Sequence, residues 1–298
     1  EAVLEDRNVT ELDDALETAG SVVSAGGRGT SVFGPNFLIR GFPVADGIFR
    51  DGVTASSLSP LTTNDVERVE ILRGPASILF GQGEPGGIIN LVSKRPLSEP
   101  FYEVSASVGS FETYSVALDL SGPLNEEGSV KYRLNVSYED YGSFEDFVDG
   151  EQIVVSQIIA WDIGPDTSLD VYGQYITERE TTHLGVPALG DGIVDVPPSR
   201  FLGEDFGEFS QEQFNLGYRL EHDFNEDLTL RHSLQYLQFE PERYGPLFTG
   251  FDEATGDLER LEYVTDGTYR RFFTNAELVG EFETGSIQHQ ALFGVEYR

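Results

Sequence analysis

Long stretches in the second two-thirds of the chain alternate between apolar and polar residues. In Lys131–Tyr141 the even positions from 132 to 138 are apolar or aromatic and the odd positions are polar, and Gln213–Phe224, Leu228–Gln238 and Ile287–Arg298 repeat the pattern. A period of two residues predicts β-strands with one apolar and one polar face. Weaker alternation predicts five more strands, at 101–109, 112–121, 153–163, 167–178 and 270–284. Several of these nine strands reach the length of about 9–11 residues that crosses a bilayer when tilted.

The connections between these strands fall into two classes. Short turns are predicted at 122–128, 164–167, 225–227 and 284–286, and longer loops at 142–151, 181–210 and 241–269. Short turns at one end and long loops at the other are typical of outer-membrane β-barrels. A soluble β-sandwich also alternates, because one face of each sheet meets the core and the other meets water. The strand lengths, and aromatic residues near the strand ends, favour an antiparallel transmembrane β-barrel over the sandwich.

The first hundred residues have a different organisation. Val9–Ala19 predicts a short amphipathic helix, with Thr10 as its cap and acidic residues in its first turn. Short strands are predicted at Phe37–Gly41, Ile48–Arg50, Val66–Leu72 and Ile88–Val92. We therefore predict a compact α+β domain over residues 1–97, followed by barrel strands over 98–298.

Composition and charge narrow the classes of function. The chain of 298 residues carries 19 Lys and Arg against 52 Asp and Glu, a net charge of −33, and it has no Cys or Met. So acidic a chain offers no extended surface for nucleic-acid phosphates. Without Cys it has no disulfide, no thiolate metal site and no Cys nucleophile. The acidity itself is consistent with solvated loops or with an outer face bridged by divalent cations.

Four blocks of sequence in the first domain resemble the plug domain of TonB-dependent outer-membrane receptors. The blocks are FLIRGF at Phe37–Phe42, RDGV at Arg50–Val53, ERVEILRGPASILFG at Glu67–Gly81, and PGGIINLVSKRP at Pro85–Pro96. The amino-acid sequences of these blocks are most similar to those of the siderophore-receptor branch of the family. In that family the plug lies inside a 22-stranded barrel, so the resemblance implies a plug followed by about nine of 22 strands. On this interpretation the chain is a fragment of a longer receptor.

The resemblance also implies roles for particular residues. The arginine of the IRGF block, Arg40, lies near the plug apex in related receptors, where a guanidinium suits the oxygen atoms of a ferric chelate. An internal plug arginine satisfied by carbonyl groups is the alternative. The segment Val53–Leu61 matches an apical loop that touches substrate in relatives, and Phe49 and Leu58 are the candidate apolar contacts there. Arg68 and Arg73 match arginines that pair with glutamates of the barrel wall and hold the plug.

The strand pattern adds two candidate residues on the inner face of the barrel. Tyr172 and Gln174 lie on the polar phase of strand 167–178, where they would line the vestibule for substrate. The histidines show no metal-ligand spacing, so no protein metal site is expected. The segment Gly81–Gly86 fits G-x-G-x-x-G, but a strand rather than a helix follows it, which argues against nucleotide binding. No catalytic motif is present, and we expect no enzyme activity.

The expected function is import of a ferric siderophore across the outer membrane of a Gram-negative-type bacterium. The resemblance implies three partners: the ferric siderophore, a TonB-type energy-coupling protein and outer-membrane lipid. No cofactor is expected, because the iron arrives already chelated. The alternatives are the same transporter with haem, cobalamin or carbohydrate cargo, and a soluble β-rich binding or adhesion module.

Overall fold

The structure is a computed structural model. It describes residues 12–17, 20, 22–24, 37–44, 47–54, 62–74, 85–183 and 185–298. Two small sheets and a helix form the N-terminal part, and one large antiparallel sheet forms the remainder. The change from one to the other falls between Ser93 and Phe101, around the predicted domain boundary.

The N-terminal domain contains one short helix and seven short strands in its described part. In chain order they are α1 Leu12–Glu17, β1 Val22–Ser24, β2 Phe37–Ile39, β3 Phe42–Pro43, β4 Ile48–Arg50, β5 Val53–Thr54, β6 Val66–Arg73 and β7 Gly87–Ser93. The first three strands form one sheet, and the other four form a second sheet in the order β5-β4-β7-β6. Strands β4 and β7 are parallel, and the remaining neighbours are antiparallel. The α+β architecture and its four predicted strands are confirmed.

A single apolar cluster connects the helix with both small sheets. Leu12 and Leu16 of α1 pack in one core with Phe37 and Ile39 of β2 and with Ile89 of β7, and each is at most 1% exposed. Burying an aliphatic or aromatic side chain contributes about 1.5–3 kcal/mol. This cluster gives the N-terminal domain a core of its own, independent of the large sheet.

The beginning of β7 requires glycine for steric reasons. A Cβ atom on Gly86 would overlap the carbonyl oxygen of Ile39, and one on Gly87 would overlap that of Leu72. Gly87 also has a φ of +138°, which residues with a side chain rarely adopt. The two glycines of the PGGI block therefore let β7 pass close to β2 and β6.

The large sheet is built from long neighbouring strands. Their bounds are β8 Phe101–Val108, β9 Tyr114–Pro123, β10 Val130–Gly142, β11 Asp149–Asp162, β12 Thr167–Thr181, β15 Glu208–Asn225, β16 Leu228–Asp252, β17 Asp257–Asp266, β18 Tyr269–Thr284 and β19 Ile287–Tyr297. Nine of them follow one another as β8-β9-β10-β11-β12-β15-β16-β18-β19, and β17 pairs with the distal part of β16. The two-residue strands β13 Ala188–Leu189 and β14 Gly192–Ile193 form a separate hairpin in the connection between β12 and β15.

The nine predicted strands are confirmed, but the prediction of a long loop over 241–269 is wrong. Strand β16 continues to Asp252 and returns as β17, so the region is a β-hairpin extending from the sheet. The sequence pattern did not predict this hairpin because Pro241 and Pro246 interrupt the alternation, and proline inside a run normally argues against a strand. Pro241 pairs only with Gln211 of β15 and Pro246 only with Glu262 of β17, so each proline has a strand neighbour on one side, which is the position where a strand tolerates proline.

The β16–β17 hairpin contacts the connection between β12 and β15 and holds it in place. Arg260 of β17 donates hydrogen bonds to the carbonyl oxygens of Leu202 and Gly203, at 3.0 and 3.2 Å, and to the Glu204 carboxylate at 2.6 Å. Phe201 packs against Phe147 of the preceding loop, with ring centroids 5.9 Å apart. The loops at this end of the sheet therefore pack on one another.

The burial of polar and apolar side chains on the two faces of the sheet is the reverse of that in a soluble protein. On β15 the polar residues Gln213 and Asn215 are 3% and 5% exposed, whereas the apolar Phe214 and Leu216 are 44% and 46% exposed. Strand β10 has the same inversion, with Asn135 buried and Tyr138 exposed. An outward apolar face and an inward polar face are the arrangement of a membrane β-barrel. The predicted fold class, a plug followed by barrel strands, is confirmed, and the sandwich alternative is not.

Among the residues that the structure describes, no helix is long and apolar enough to span a bilayer.

The outward face of β15 provides a direct test of lipid contact. Replacing Leu216 with Arg at mid-strand is expected to cost about 2–4 kcal/mol, because a lipid-facing cation is poorly solvated near the bilayer centre. Phe224→Arg is the matched control, on the same face of the same strand but beside the turn, with an expected cost of about 0–1 kcal/mol. Urea unfolding in lipid vesicles measures both changes. Equal costs at the two positions would contradict the depth assignment.

Candidate functional site

The β4–β5 turn places Asp51 where the plug, the following linker and the sheet meet. Asp51 and Gly52 have positive φ angles of 50° and 83°, as a two-residue hairpin turn requires. The Asp51 Oδ1 accepts a hydrogen bond from the Ser93 backbone N–H at 3.0 Å. Its Oδ2 lies 3.2 Å from Arg219 Nη1 of β15, and Arg95 Nη2 lies 3.8 Å from Oδ1. One carboxylate therefore holds groups from three parts of the chain.

The surroundings of Asp51 keep its carboxylate ionised. Burial raises the pKa of Asp51, but Arg219, Arg95 and the hydrogen bonds from Ser93 together lower it by more, so the pKa lies below the ordinary value. A carboxyl group with a lowered pKa in the folded state stabilises the protein above its unfolded pKa of about 4. That contribution disappears only as the pH falls through the lowered pKa.

The large sheet forms the barrel wall around the plug. Two of its residues, Asp170 and Arg219, complete an alternating set of charges around Asp51. Arg95 Nη1 donates to Asp170 Oδ2 of β12 at 2.7 Å, and Asp170 is the cross-strand partner of Arg219. The Arg219 guanidinium lies over the ring of Tyr172, 4.9 Å from its centroid. We call Asp51, Arg219, Asp170 and Arg95 the charge ring. It connects the plug to β12 and β15 at once.

A second junction lies where the linker crosses β9 and β10. Arg133 makes a bidentate pair with Asp119, at 2.9 and 2.7 Å, and Lys94 donates to the same carboxylate at 3.1 Å. Arg133 also donates to the Arg95 carbonyl oxygen at 3.0 Å. Asp119 and Arg133 are each 7% exposed. Such buried charges are stable only when each one has its partner.

The third junction connects the second plug sheet with the middle of the wall. Asp65, 2% exposed, accepts a hydrogen bond from Arg50 at 3.0 Å on one oxygen and from Gln174 of β12 at 2.5 Å on the other. A polar cavity of about 60 Å³ lies between this junction and the charge ring. Its size and lining suit a few ordered water molecules. The plug therefore meets the wall through charges, hydrogen bonds and a small polar cavity.

Three of the predicted substrate contacts lie in the plug, in different settings. Arg40 is exposed in the two-residue turn between β2 and β3, with a φ of 54° followed by 84° at Gly41. Phe49 is 1% exposed within β4, so its ring has no free surface in this arrangement. Leu58 lies outside the described residues. The role of all three in binding stays a prediction.

The two predicted wall residues, Tyr172 and Gln174, lie on the inward face, as the alternation predicts. They lie where the plug meets the wall, a boundary that we call the seam. Gln174 donates to Asp65, and Tyr172 lies beneath Arg219. In this arrangement their polar groups face the seam between plug and wall rather than an open vestibule. Their contact with substrate stays a prediction.

Arg68 and Arg73 were predicted to pair the plug with the barrel. Arg68 pairs within its own strand instead, with Glu70 at 2.8 Å and with Glu67 at 3.4 Å, and it is largely exposed. Arg73 is exposed at the end of β6. The structure brings other cations to the wall, and the roles predicted for these two arginines stay predictions.

Sequence reasoning missed the charged residues of the three junctions and named Gln174, which contacts Asp65, only as a substrate contact. The missed residues are Asp51, Asp65, Lys94, Arg95, Asp119, Asp170 and the two wall cations Arg133 and Arg219. A signal was present, because Arg133 and Arg219 are positive charges on the polar phase of predicted strands. Which acidic residue each one meets depends on the strand register and on the position of the plug.

The described residues contain no group of three or more His, Asp or Glu side chains placed to hold a metal ion. The candidate site consists of the contacts between plug and wall and of the exposed turn at Arg40.

Comparisons with known proteins agree with this geometry. Residues 1–88 match the family model described as the TonB-dependent Receptor Plug Domain. The Metal-pseudopaline receptor CntO of Pseudomonas aeruginosa is 36% identical over 99% of this chain. The chain belongs to the TonB-dependent receptors.

Other members of the family show the same relation. The ferrichrome outer membrane transporter/phage receptor of Escherichia coli is 27% identical over 92% of the chain. The crystal structure of the ferric-catecholate import receptor Fiu from E. coli, in its closed form, superimposes with a TM-score of 0.86 at 26% identity. That alignment covers 99% of this chain and 45% of Fiu.

The chain spans about 42% of the length of the curated relatives it matches. The matched part includes the plug domain, at residues 1–88 of this chain. TonB-dependent receptors of this kind are outer-membrane proteins of Gram-negative bacteria, which agrees with the predicted location.

The Asp51–Arg219 ion pair is expected to stabilise the seam measurably. Arg219→Gln leaves the Asp51 carboxylate short of its nearest cation and should cost about 2–3 kcal/mol, since breaking a buried pair costs 3–5 and Arg219 is partly exposed. The loss should be constant from pH 5 to 8 and shrink as the pH falls from about 4, the pKa of Asp51 in the unfolded state, through the lowered pKa of Asp51 in the folded state. Thermal unfolding across this pH range measures it. The control is Arg231→Gln, because Arg231 pairs with Glu221 on the exposed surface; an equal loss there would contradict the assignment.

Proposed function

We propose that the complete protein imports a metal-loaded chelate, with a ferric siderophore as the principal cargo, across the outer membrane. The observation that carries the proposal is the plug held against the inward polar face of long barrel strands. A wall lined with polar groups and blocked by a separately folded domain fits a gated route for a hydrophilic solute. Receptors with this pair of domains include the ferric-catecholate import receptor Fiu.

Two names among the relatives suggest different metals. Fiu is called a catecholate siderophore receptor and is 27% identical to this chain. CntO is called a metal-pseudopaline receptor and is 36% identical. The higher identity to CntO supports a second candidate function, import of a chelate whose metal need not be iron. Both candidates share the same route and differ in the chemistry recognised at the plug apex. Haem, cobalamin and carbohydrate are named by none of these relatives.

The proposed transport requires an energy-coupling partner. The plug is tied to the wall by the charge ring and by the junctions at Asp119 and Asp65, so contacts there are broken and formed again as a solute passes. The free energy gained when a solute binds is given back when it is released, so binding alone does not drive a transport cycle. A TonB-type protein acting on the plug from the periplasmic side is therefore part of the proposal, together with outer-membrane lipid around the apolar face.

No covalent step is proposed, because the relatives are receptors and transporters.

Uptake by intact cells tests the function. Cells lacking their own siderophore receptors, and expressing the full-length protein, are given radio-iron as ferrichrome, as ferrioxamine B or as a catecholate chelate, and radio-zinc with pseudopaline. Uptake of one iron chelate that stops when TonB is deleted supports the principal proposal. Uptake of the zinc chelate alone favours the second candidate. Passage of none of the four would contradict both.

The exposed turn at Arg40 provides a test of chelate recognition. Arg40→Asn removes the guanidinium while keeping a residue that tolerates a positive φ, so the turn is preserved. Loss of one charge-assisted hydrogen bond of about 1.5–3 kcal/mol corresponds to an affinity lower by about 10- to 100-fold. The affinity for the transported chelate is measured by fluorescence quenching of the purified receptor. Arg270→Asn on the outward face is the control and should leave it unchanged; equal affinities of Arg40→Asn and the parent would remove Arg40 from the site.

A further inference from the structure

Three aromatic rings form an exposed apolar strip on the outward side of the wall, at the end of the sheet that carries the long loops. They are Phe147 in the β10–β11 connection, Phe206 in the β12–β15 connection and Tyr244 of β16, which are 70%, 52% and 44% exposed. The rings of Phe206 and Tyr244 lie 5.4 Å apart. We call these three residues the rim strip. Exposed apolar surface of this kind marks sites of interaction in soluble regions of proteins.

Contact with lipid chains does not explain the rim strip. On β15 the lipid-facing Phe214 is followed on the same face by Glu212, Ser210 and Glu208. Glu208 is the cross-strand partner of Tyr244, so the Glu212 carboxylate lies between the lipid-facing ring and the rim strip. A charged side chain on the outward face is unfavourable within the hydrocarbon and tolerated near the interface. The rim strip therefore lies above the hydrocarbon, beside the membrane surface.

An acidic groove of about 270 Å³ borders the rim strip. Its lining includes two rings of the strip, three carboxylates and one guanidinium, from Phe147, Phe206, Asp149, Asp205, Glu208 and Arg179. The guanidinium is already paired, because Arg179 Nε lies 3.2 Å from Glu151 and Nη1 lies 3.5 Å from Glu208. The groove thus combines exposed rings with an excess of negative charge.

This excess of negative charge discriminates between the possible occupants. A second copy of the chain would bring the same carboxylates against the groove, and its net charge of −33 opposes such a contact. Phosphates of membrane lipids are anionic as well, and the part of the chain that the structure describes offers no group of three or more His, Asp or Glu to hold a bridging cation. A protein surface that carries Lys or Arg beside an apolar side chain matches both the rings and the charge.

We propose that the rim strip and its groove dock a basic protein partner, with a Lys or Arg side chain in the groove and an apolar side chain on the rings. The surface lies on the side of the wall, so the partner stands beside the receptor at the outer face of the membrane. Strands β11, β12 and β15 and their connections form the groove, and β16 and β18 separate these strands from β19. Docking here is a property beyond the proposed import and independent of the cargo.

Selection from a peptide library tests the chemistry of the partner. Random heptapeptides displayed on phage are first depleted on empty phospholipid nanodiscs and then selected on the full-length receptor in the same nanodiscs. The recovered peptides should contain Lys and Arg at about twice their frequency in the unselected library or more, next to apolar residues. Their binding should weaken as the salt concentration rises, because exposed charges are screened.

Site-directed variants test the location of the surface with one recovered peptide, labelled and measured by fluorescence anisotropy. Phe147→Asn should lower the affinity about fivefold or more, because aromatic anchors contribute most to such contacts; asparagine suits the φ of 68° at this position. Asp205→Asn should lower it about threefold through the lost charge. The controls are Phe111→Asn, another exposed ring at a positive φ, and Asp191→Asn in the exposed β13–β14 turn. Both controls should bind the peptide as the parent does.

Several results would overturn the proposal. One is a set of recovered peptides without an excess of Lys and Arg, and another is equal affinity of Phe147→Asn and Phe111→Asn for the peptide. Loss of peptide binding to the parent when lipopolysaccharide is added to the nanodiscs would assign the groove to lipid instead. Heat-modifiable mobility on gels shows that each variant remains folded, and Phe206→Ala replaces Phe147→Asn if the latter fails this check. No chelate is used, so failure of the proposed import is a separate result.

Discussion

The pairing of charges between plug and wall is the interaction on which the rest of the structure depends. Asp119, Arg133 and Asp51 are buried inside the sheet, where an ionised group without a partner is very unfavourable. Asp51 has its partner Arg219 only because the plug occupies the inner face, and the wall pair Asp119–Arg133 gains Lys94 and the Arg95 carbonyl oxygen from the linker. The wall in turn contributes Asp170, Arg219 and Gln174 to groups of the plug. Neither part satisfies its buried polar groups alone.

The same pairing has consequences for closure and release. A buried ion pair is specific in geometry but contributes little net stability relative to an apolar contact. A plug held by charged and polar side chains therefore separates from the wall at a lower cost than one held by an apolar interface of equal area, because water solvates the separated groups again. The hydrophobic cluster of α1, β2 and β7 lies within the plug rather than at the seam. This division allows the plug to move as a folded unit while its interface rearranges.

The many acidic residues of the chain occupy two kinds of environment. Several acidic residues, including Asp51, Asp65, Asp119 and Asp170, are partners of cations in the seam. Others, such as Asp149, Glu151 and Glu208, surround Arg179 on the exposed surface, where ion pairs contribute little. The net charge of −33 thus reflects solvated surface for the most part and a small set of structural carboxylates.

The alternation of apolar and polar residues determined the nine strands, their faces and the fold class, because a period of two residues is a local property of each strand. The motif blocks of the first domain determined the family. Two things were decided only by the tertiary structure. The hairpin β16–β17 formed through Pro241 and Pro246 because each proline has a strand neighbour on one side only, a position that tolerates proline. The partners of Asp51, Arg133 and Arg219 were settled by strand register and by the docking of the plug, which join residues far apart in the chain. A single sequence records the charge of such a residue but not the position of its partner in space.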